Sequence, residues 1–408
     1  MNVPKLRFKG FIDDWEQGML GDYGYFYYGK SAPKWSVTKE ATTPCIRYGE
    51  LYTKFGSVID RVYSYTNIPK ENLKFSTGNE VLIPRVGENP LDFSKCSWLS
   101  IPNVAIGEMI SVYNTKQNPQ FIAMYFRAKM RFEFAKRVEG GNVSNLYYSY
   151  LEDILLSVPS LEEQEKSASF FEKLDKKIQL QQEKMDLLKE QKKGYMQKIF
   201  TQELRFKNNA GQDFPEWRKS HLHQLVEQVK GNSFKSVENI DIPVLTISAK
   251  VGFVNQKDRF SEVIAGNSLA KYTELQKFDL SYNKGNSKIA KYGCVFVQGN
   301  YDQALVPNVY KSFRAKPHVN PYFLQYLFST GLLDKQLKGI ISSTARMDGL
   351  LNVSDQDFYN LSIHCPSLEE QDKISNFLKL LDQKIEQCEN YKKNLEMQKK
   401  YFMQQMFI

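Results

Sequence analysis

The chain has 408 residues, 42% hydrophobic and 25% charged, with a formal net charge of +9. That is a globular profile and excludes a disordered chain. Five cysteines, far apart and without a C-x-x-C pair, exclude a disulfide scaffold and a structural zinc site. No signal peptide and no 18-residue apolar run can be read, so a cytoplasmic, non-membrane protein is expected.

The length suits two to three domains. Residues 1–160 carry 19 basic and 16 acidic side chains, and residues 202–365 carry 20 and 15. The segments that close each of these blocks are nearly neutral. The positive excess therefore lies where it would if the two blocks touched a polyanion.

In chain order, the first block opens with Leu6-Arg7-Phe8-Lys9 and Trp15. Gly24 to Ser31 satisfies the expression G-x-x-x-x-G-K-[ST], but four aromatic residues fill the loop and Ala32-Pro33 follows. A phosphate loop needs small residues and an immediate helix, so a buried aromatic strand ending in a basic turn is expected. Short β-rich runs follow at Pro44–Tyr48, Val58–Tyr65, Val81–Pro84 and Ile106–Val112. Asn118-Pro119 then caps a helical run, Phe121–Lys136, and Leu151–Val158 reads as a strand.

Pro159 to Phe200 begins Pro-Ser-Leu-Glu-Glu-Gln and reads as one long helix. Glu162 and Glu163 stand in its first turn and lysines gather at its end, as the helix dipole favours. Pro366 to Phe407 repeats it at a constant offset of 207, with 19 of 42 positions identical. Apolar residues three and four apart predict a coiled-coil seam. The seam is Phe171, Leu174, Ile178, Met185, Leu188, Tyr195 and Ile199 in the first copy. In the second it is Leu378, Leu381, Ile385, Cys388, Leu395, Phe402 and Met406. Gln181, Lys192, Lys392 and Lys399 interrupt it, which suits two unlike helices pairing within the chain. Each helix would span on the order of 57 Å, so its natural partner is the other copy.

The second block repeats the order of the first. Leu204-Arg205-Phe206-Lys207 and Trp217 open it, and Pro243–Ile247 answers Pro44–Tyr48. Tyr292–Val297 is expected to answer Thr77–Ile83, and Asn320-Pro321-Tyr322 starts a helix running through Thr330. The middles, 49–76 and 249–291, barely align. A duplicated scaffold that carries two different recognition surfaces has this pattern, and so do two surfaces that merely drifted apart.

No catalytic constellation is assembled. His221-x-His223 lacks further ligands at metal spacing, His318 and His364 are isolated, and Asn320-Pro321-Tyr322-Phe323 lacks the second Pro of an adenine methyltransferase tetrapeptide. The candidates left are basic and polar residues near turns, suited to phosphates and base edges. In the first block they are Lys30, Lys34, Trp35, Arg47, Tyr48, Lys54 and Arg85. In the second they are Lys235, Lys250, Lys284, Asn286, Lys288, Gln298, Asn300 and Arg346. For any one of them a solvated surface lysine or a packing tyrosine is the plainer alternative.

The paired Leu-Arg-Phe-Lys openings, the tryptophans, the Gly-Asn-Glu-Val-Leu-Ile strand at Gly78 and the double Pro-Ser-Leu-Glu-Glu-Gln helix together resemble the specificity subunit of Type I restriction-modification enzymes. The resemblance spans essentially the whole chain. It implies an α+β fold with a pseudo-two-fold internal repeat: two mixed α/β target recognition domains, at 1–158 and 202–364, separated by spacer helices at 159–201 and 365–408 packed as an antiparallel coiled coil. It further implies that each domain reads one half of a bipartite, asymmetric double-stranded DNA target, while the helices set the gap and dock two modification subunits. The chain itself would be non-catalytic and bind no cofactor. S-adenosylmethionine would sit on the modification subunits, and ATP and Mg on the restriction subunits of the full complex. The location implied is bacterial or archaeal cytoplasm, at the nucleoid when bound. The rival reading is a duplicated coiled-coil scaffold that binds other proteins.

Overall fold

The structure, a computed structural model, describes residues 3–30, 32–231, 242–259, 271–285, 289–341 and 351–408. It divides into two compact units. The first comprises Met1–Glu183 and Glu389–Ile408, and the second Lys184–Cys388.

In the first unit a five-stranded sheet has the order Gly24–Tyr28, Ile110–Thr115, Glu80–Pro84, Ser97–Leu99, Val58–Ile59. Glu80–Pro84 is buried throughout, because both faces of this strand are covered. Its side chains alternate between two cores. Val81 and Ile83 join Phe121, Tyr125 and Phe126 of the helix Pro119–Lys129; Leu82 joins Ile46, Leu51 and Val112 on the opposite face. Asn118 caps the helix by accepting from the Phe121 N–H at 2.9 Å, as the Asn-Pro start predicts. The expected helix 121–136 breaks at Met130 and resumes as Arg131–Ala135.

Two expected strands are also divided. Val58–Tyr65 splits into Val58–Ile59 and Ser64–Thr66, which join different sheets. Ile106–Val112 splits at Gly107-Glu108-Met109, so that Ala105–Ile106 pairs with Thr43–Ile46 while Ile110–Thr115 becomes an inner strand. Gly24–Tyr28 is a strand, as expected of the aromatic run, but it lies at the sheet edge with Phe26 buried and Tyr25 exposed.

The second unit rebuilds this frame with four strands, ordered Val226–Val229, Lys311–Ala315, Leu280–Asn283, Cys294–Val297. Position in the sheet equates Leu280–Asn283 with Glu80–Pro84, and Cys294–Val297 with Ser97–Leu99. The expected match of Tyr292–Val297 to Thr77–Ile83 is therefore displaced by one strand. The expected match needs an offset of 215, whereas the sheet register sets it at about 200; a glycine followed by an apolar run stands at both Gly78 and Gly293, so the two strands look alike in sequence. The match of Pro243–Ile247 to Pro44–Tyr48 holds in position: each region runs parallel to the strand that precedes the sheet's long inner strand.

The predicted helices are Leu161–Phe200 and Leu368–Gln405. In the first unit Asp175 meets Lys399 and Gln182 meets Lys392, so the two run antiparallel. In the second unit Lys192 meets Asp382 and Tyr195 meets Phe377, again antiparallel. Lys192 and Asp382 are the counterparts, 207 residues apart, of Lys399 and Asp175. The seam lysines thus reach a partner on the other helix and do not weaken the pairing. The expected seam is buried or half-buried at every position except Tyr195, which is 40% exposed with its ring against Phe377. The helix ends belong to the domain cores. Phe171 and Phe407 sit in the first, and Ile199, Phe200 and Leu378 in the second.

Candidate nucleic-acid interface

The short motifs that recur in the sequence meet at one junction in each unit. Arg7 forks onto Glu163, with Nε and Nη2 each donating at 2.7 Å. Arg205 does the same to Glu370 at 3.1 and 2.8 Å, and the Trp217 indole N–H adds a third bond at 3.2 Å. These pairs push both guanidinium pKa values up, chiefly through the hydrogen bonds to the carboxylates. The next residue, Gln164 or Gln371, accepts from the backbone N–H of Asn118 or Asn320 at 3.0 and 2.9 Å. Leu-Glu-Glu-Gln is therefore a clamp: its second Glu holds the block's opening arginine, and its Gln holds the start of the block's helix.

With that frame fixed, the first-block candidates can be placed. The Lys30 N–H donates to Ile106 O at 2.8 Å, the Gly107 N–H donates to Ile46 O just before Arg47, and the Arg85 N–H donates to Met109 O at 3.1 Å. Lys30, Arg47 and Arg85 thus gather around one loop, Gly107-Glu108-Met109. Lys74, which sequence reasoning missed, joins them: its carbonyl receives the Ile106 N–H and its Nζ donates to Tyr28 O at 2.9 Å. The Arg85 guanidinium lies 4.6 Å from the Tyr28 ring centre and 5.9 Å from that of Tyr147. Its Nε is buried without a partner among the described residues, so the group is held but under-satisfied. Tyr48, 37% exposed, begins the short helix that follows Arg47, whose backbone N–H donates to Glu50 at 3.0 Å. Lys34 and Trp35 lie exposed on a separate turn. Lys54 is drawn onto Glu50 at 3.2 Å.

The rim depends on Gly29. A Cβ there would stand 2.1 Å from Gly107 O and 2.6 Å from Ile106 O. Gly29→Ala is expected to cost about 1–3 kcal/mol by forcing strand and loop apart, measurable as a lower urea midpoint for the first unit. An unchanged midpoint would refute the close approach.

In the second unit Lys250, Gln298 and Asn300 line one cavity of about 660 Å³. Gln298 is 1% exposed, and its amide bonds within its own loop: Oε1 accepts from Asn300 and Tyr301 N–H, and Nε2 donates to Tyr301 O. These bonds shape the loop and engage three of the four hydrogen-bonding positions of the amide. Lys284 lies apart from this cavity, half-buried, with its carbonyl receiving the Leu351 N–H at 2.8 Å. Lys311, helped by Lys284, holds the Asp355 carboxyl below its usual range. Lys235, Asn286, Lys288 and Arg346 lie outside the described residues. Among the described residues no His, Cys, Asp and Glu cluster could hold a metal, and no helix is long and apolar enough to cross a membrane.

Comparison with known proteins adds the family. The profile of the Type I restriction modification DNA specificity domain matches twice, at residues 12–190 and 215–397. The MjaVIII Type I restriction enzyme specificity subunit of Methanocaldococcus jannaschii is 22% identical, over 96% of this chain and 91% of its own length. A crystal structure of the S subunit of a Type I restriction-modification system from M. genitalium superposes with a TM-score of 0.60 at 14% identity, covering 100% of this chain and 99% of that one. A structure described for complex assembly and conformational transition of the Type I system superposes at 0.55 and 13% identity, covering 96% and 97%. Two profile matches, one per clamped unit, settle the assignment: this chain belongs to the DNA specificity subunits of Type I restriction-modification systems.

Proposed function

We propose that residues 1–158 and 202–364 are the target recognition domains and that each reads one half of a bipartite DNA sequence. In this reading the long helices set the gap between half-sites and carry the docking surface for two modification subunits. Methyl transfer, with S-adenosylmethionine, belongs to those subunits, and ATP- and Mg-dependent translocation and cleavage to restriction subunits. The observation that carries the reading is a shared frame with unlike surfaces. The Arg–Glu and Gln–Asn clamps recur in both units, whereas the basic rim of Lys30, Arg47, Lys74 and Arg85 in the first stands against a lysine- and tyrosine-lined cavity in the second. Two domains that each lose about 1–3 kcal/mol per mismatched base pair add their discrimination.

The test is selection from a randomised duplex library by the chain assembled with its modification subunits, alongside methylation-aware sequencing of host DNA with and without the gene. A single gapped, asymmetric motif is expected from both. Recovery of no motif, or of an ungapped one, would favour the protein-binding scaffold.

A further inference from the structure

The two sheets have the same register, and this exposes one substitution between the units. Val81 and Leu280 each face the aromatic residue of the neighbouring inner strand, Tyr113 or Phe313. On their other side they face Trp98 and Val297. Cys96 and Ser97 therefore correspond to Val295 and Phe296. The capping residues Asn118 and Asn320 align the domain helices, so Arg127 corresponds to Ser329.

In the first unit Arg127 plugs the space between helix and sheet. Its Nε donates to Cys96 O, and its Nη2 to Gly56 O at 2.7 Å, to Phe55 O at 3.4 Å and to the Ser97 hydroxyl at 3.4 Å. In the second unit Ser329 turns its hydroxyl back to Tyr326 O at 2.7 Å. The space is left as the 660 Å³ cavity, walled by Val295, Phe296 and the turn around Lys250. This lies in the range of small-molecule sites, about 300–1,000 Å³.

The lining has a definite chemistry. Phe253, Phe296, Tyr322 and Tyr326 supply aromatic walls, and Lys250 and Lys291 supply positive charge. The Val297 N–H donates to Gln325 Oε1 at 2.7 Å, which leaves the Gln325 NH2 without a partner among the described residues. Gly299 admits the Tyr322 hydroxyl, since a Cβ there would stand 2.6 Å from it. Two carboxylates also line the cavity. Asp382 is taken up by Lys192 and by the Tyr326 hydroxyl at 2.8 Å, and burial raises the pKa of Asp334. Aromatic faces, one fixed amide donor and lysines fit a planar heterocycle that carries an anion.

We propose that this cavity is a nucleotide pocket of the second domain, taking a nucleobase against its aromatic walls and the attached phosphate on Lys250 and Lys291. The proposal rests on the DNA-reading function above. Its ligand is either a nucleotide drawn out of bound DNA or a free nucleotide, which share this chemistry.

The test compares wild type, Ser329→Arg (which restores the plug of the first unit) and Gln325→Leu, each assembled with the modification subunits. Deoxynucleoside monophosphates are titrated by saturation-transfer NMR. In parallel, 2-aminopurine is placed at successive positions of the target duplex, and its fluorescence is read on binding. Loss of free-nucleotide binding by tenfold or more in both variants supports the pocket with a free ligand. Loss of a fluorescence rise at one position of the second half-site, with rises elsewhere unchanged, supports it with a DNA ligand. If Ser329→Arg fails to fold, Gln325→Leu carries both readouts. Wild type that binds no monophosphate and shows no variant-sensitive fluorescence overturns the pocket. In that case continued selection of a gapped motif by wild type would leave the DNA-reading function standing.

Discussion

Glu370→Ala is expected to destabilise the second unit by about 3 kcal/mol, near the lower end of what removing one partner of a buried ion pair costs. Glu370 is fully buried and accepts three bonds, two from the Arg205 fork and one from Trp217. Alanine would leave that guanidinium and the indole N–H short of acceptors in a site water reaches poorly. Arg205 keeps bonds to Phe214 O and Pro215 O and is 19% exposed, so the loss stays below the upper end of the range. Glu370→Gln retains one acceptor oxygen and should fall between alanine and wild type. Urea unfolding followed by tryptophan fluorescence reads the effect through Trp217, which packs against Phe200 and Phe323. The corresponding clamp in the first unit, Arg7–Glu163, keeps both its partners in this variant, so a second transition should stay in place. A shift below about 1 kcal/mol would mean that the clamp only follows the fold and does not hold it.

The clamp shows where sequence reasoning reaches its limit. Its letters were legible, because an ungapped repeat at offset 207 displays Leu-Glu-Glu-Gln twice. Its action was not, because Arg7 and Glu163 lie 156 residues apart, and Arg205 and Glu370 lie 165 apart. No local spacing pairs them. The heptad seam was legible for the opposite reason: a helix fixes its own side-chain geometry every three to four residues. The lysines within it read as interruptions in one dimension, and the fold answers them with Asp175, Asp382 and Gln182 on the facing helix.

Inside the blocks the sequence carried less. A strand's burial pattern depends on what covers each face, so Glu80–Pro84, buried throughout, gives no alternation to read. Short strands broken by turns, such as Val58–Ile59 and Ser64–Thr66, merged into one apparent run. Among the site residues, Lys30, Arg47 and Arg85 could be picked singly as basic residues beside apolar runs. Their convergence needed the loop at Gly107, and Lys74 carried no signal of its own. Gln298 has the right chemistry for a base edge, yet its oxygen and one of its N–H groups are held by the turn it closes, which sequence alone does not display. Arg127 reads as an ordinary helix surface arginine; only the sheet beneath it reveals a plug, and burial lowers its pKa.

The largest effect on recognition is expected from Arg47→Ala combined with Arg85→Ala. A well-formed arginine contact to a base edge is worth about 1–3 kcal/mol of discrimination, so the double variant should lose up to roughly 6 kcal/mol. Both residues directly follow strands, Thr43–Ile46 and Glu80–Pro84, that meet the same Gly107-Glu108-Met109 loop. Their effects should therefore couple, and the double loss should depart from the sum of the singles. The loss should fall on one half-site. In a mutant-duplex series, base changes in that half should cease to matter, while changes in the other half keep their full penalty. Replacing Lys30 or Lys74 should act differently, weakening all duplexes alike and reducing the slope of log affinity against log salt by about one for each phosphate no longer neutralised. Arg85 is the more informative single change. Its guanidinium is held over the Tyr28 ring, and lysine at that position could not present the same planar fork. Arg85→Lys should therefore recover the salt slope without recovering sequence choice. If the double variant instead relaxed both half-sites together, the two domains would not be reading independently, and the modular account of this chain would fail.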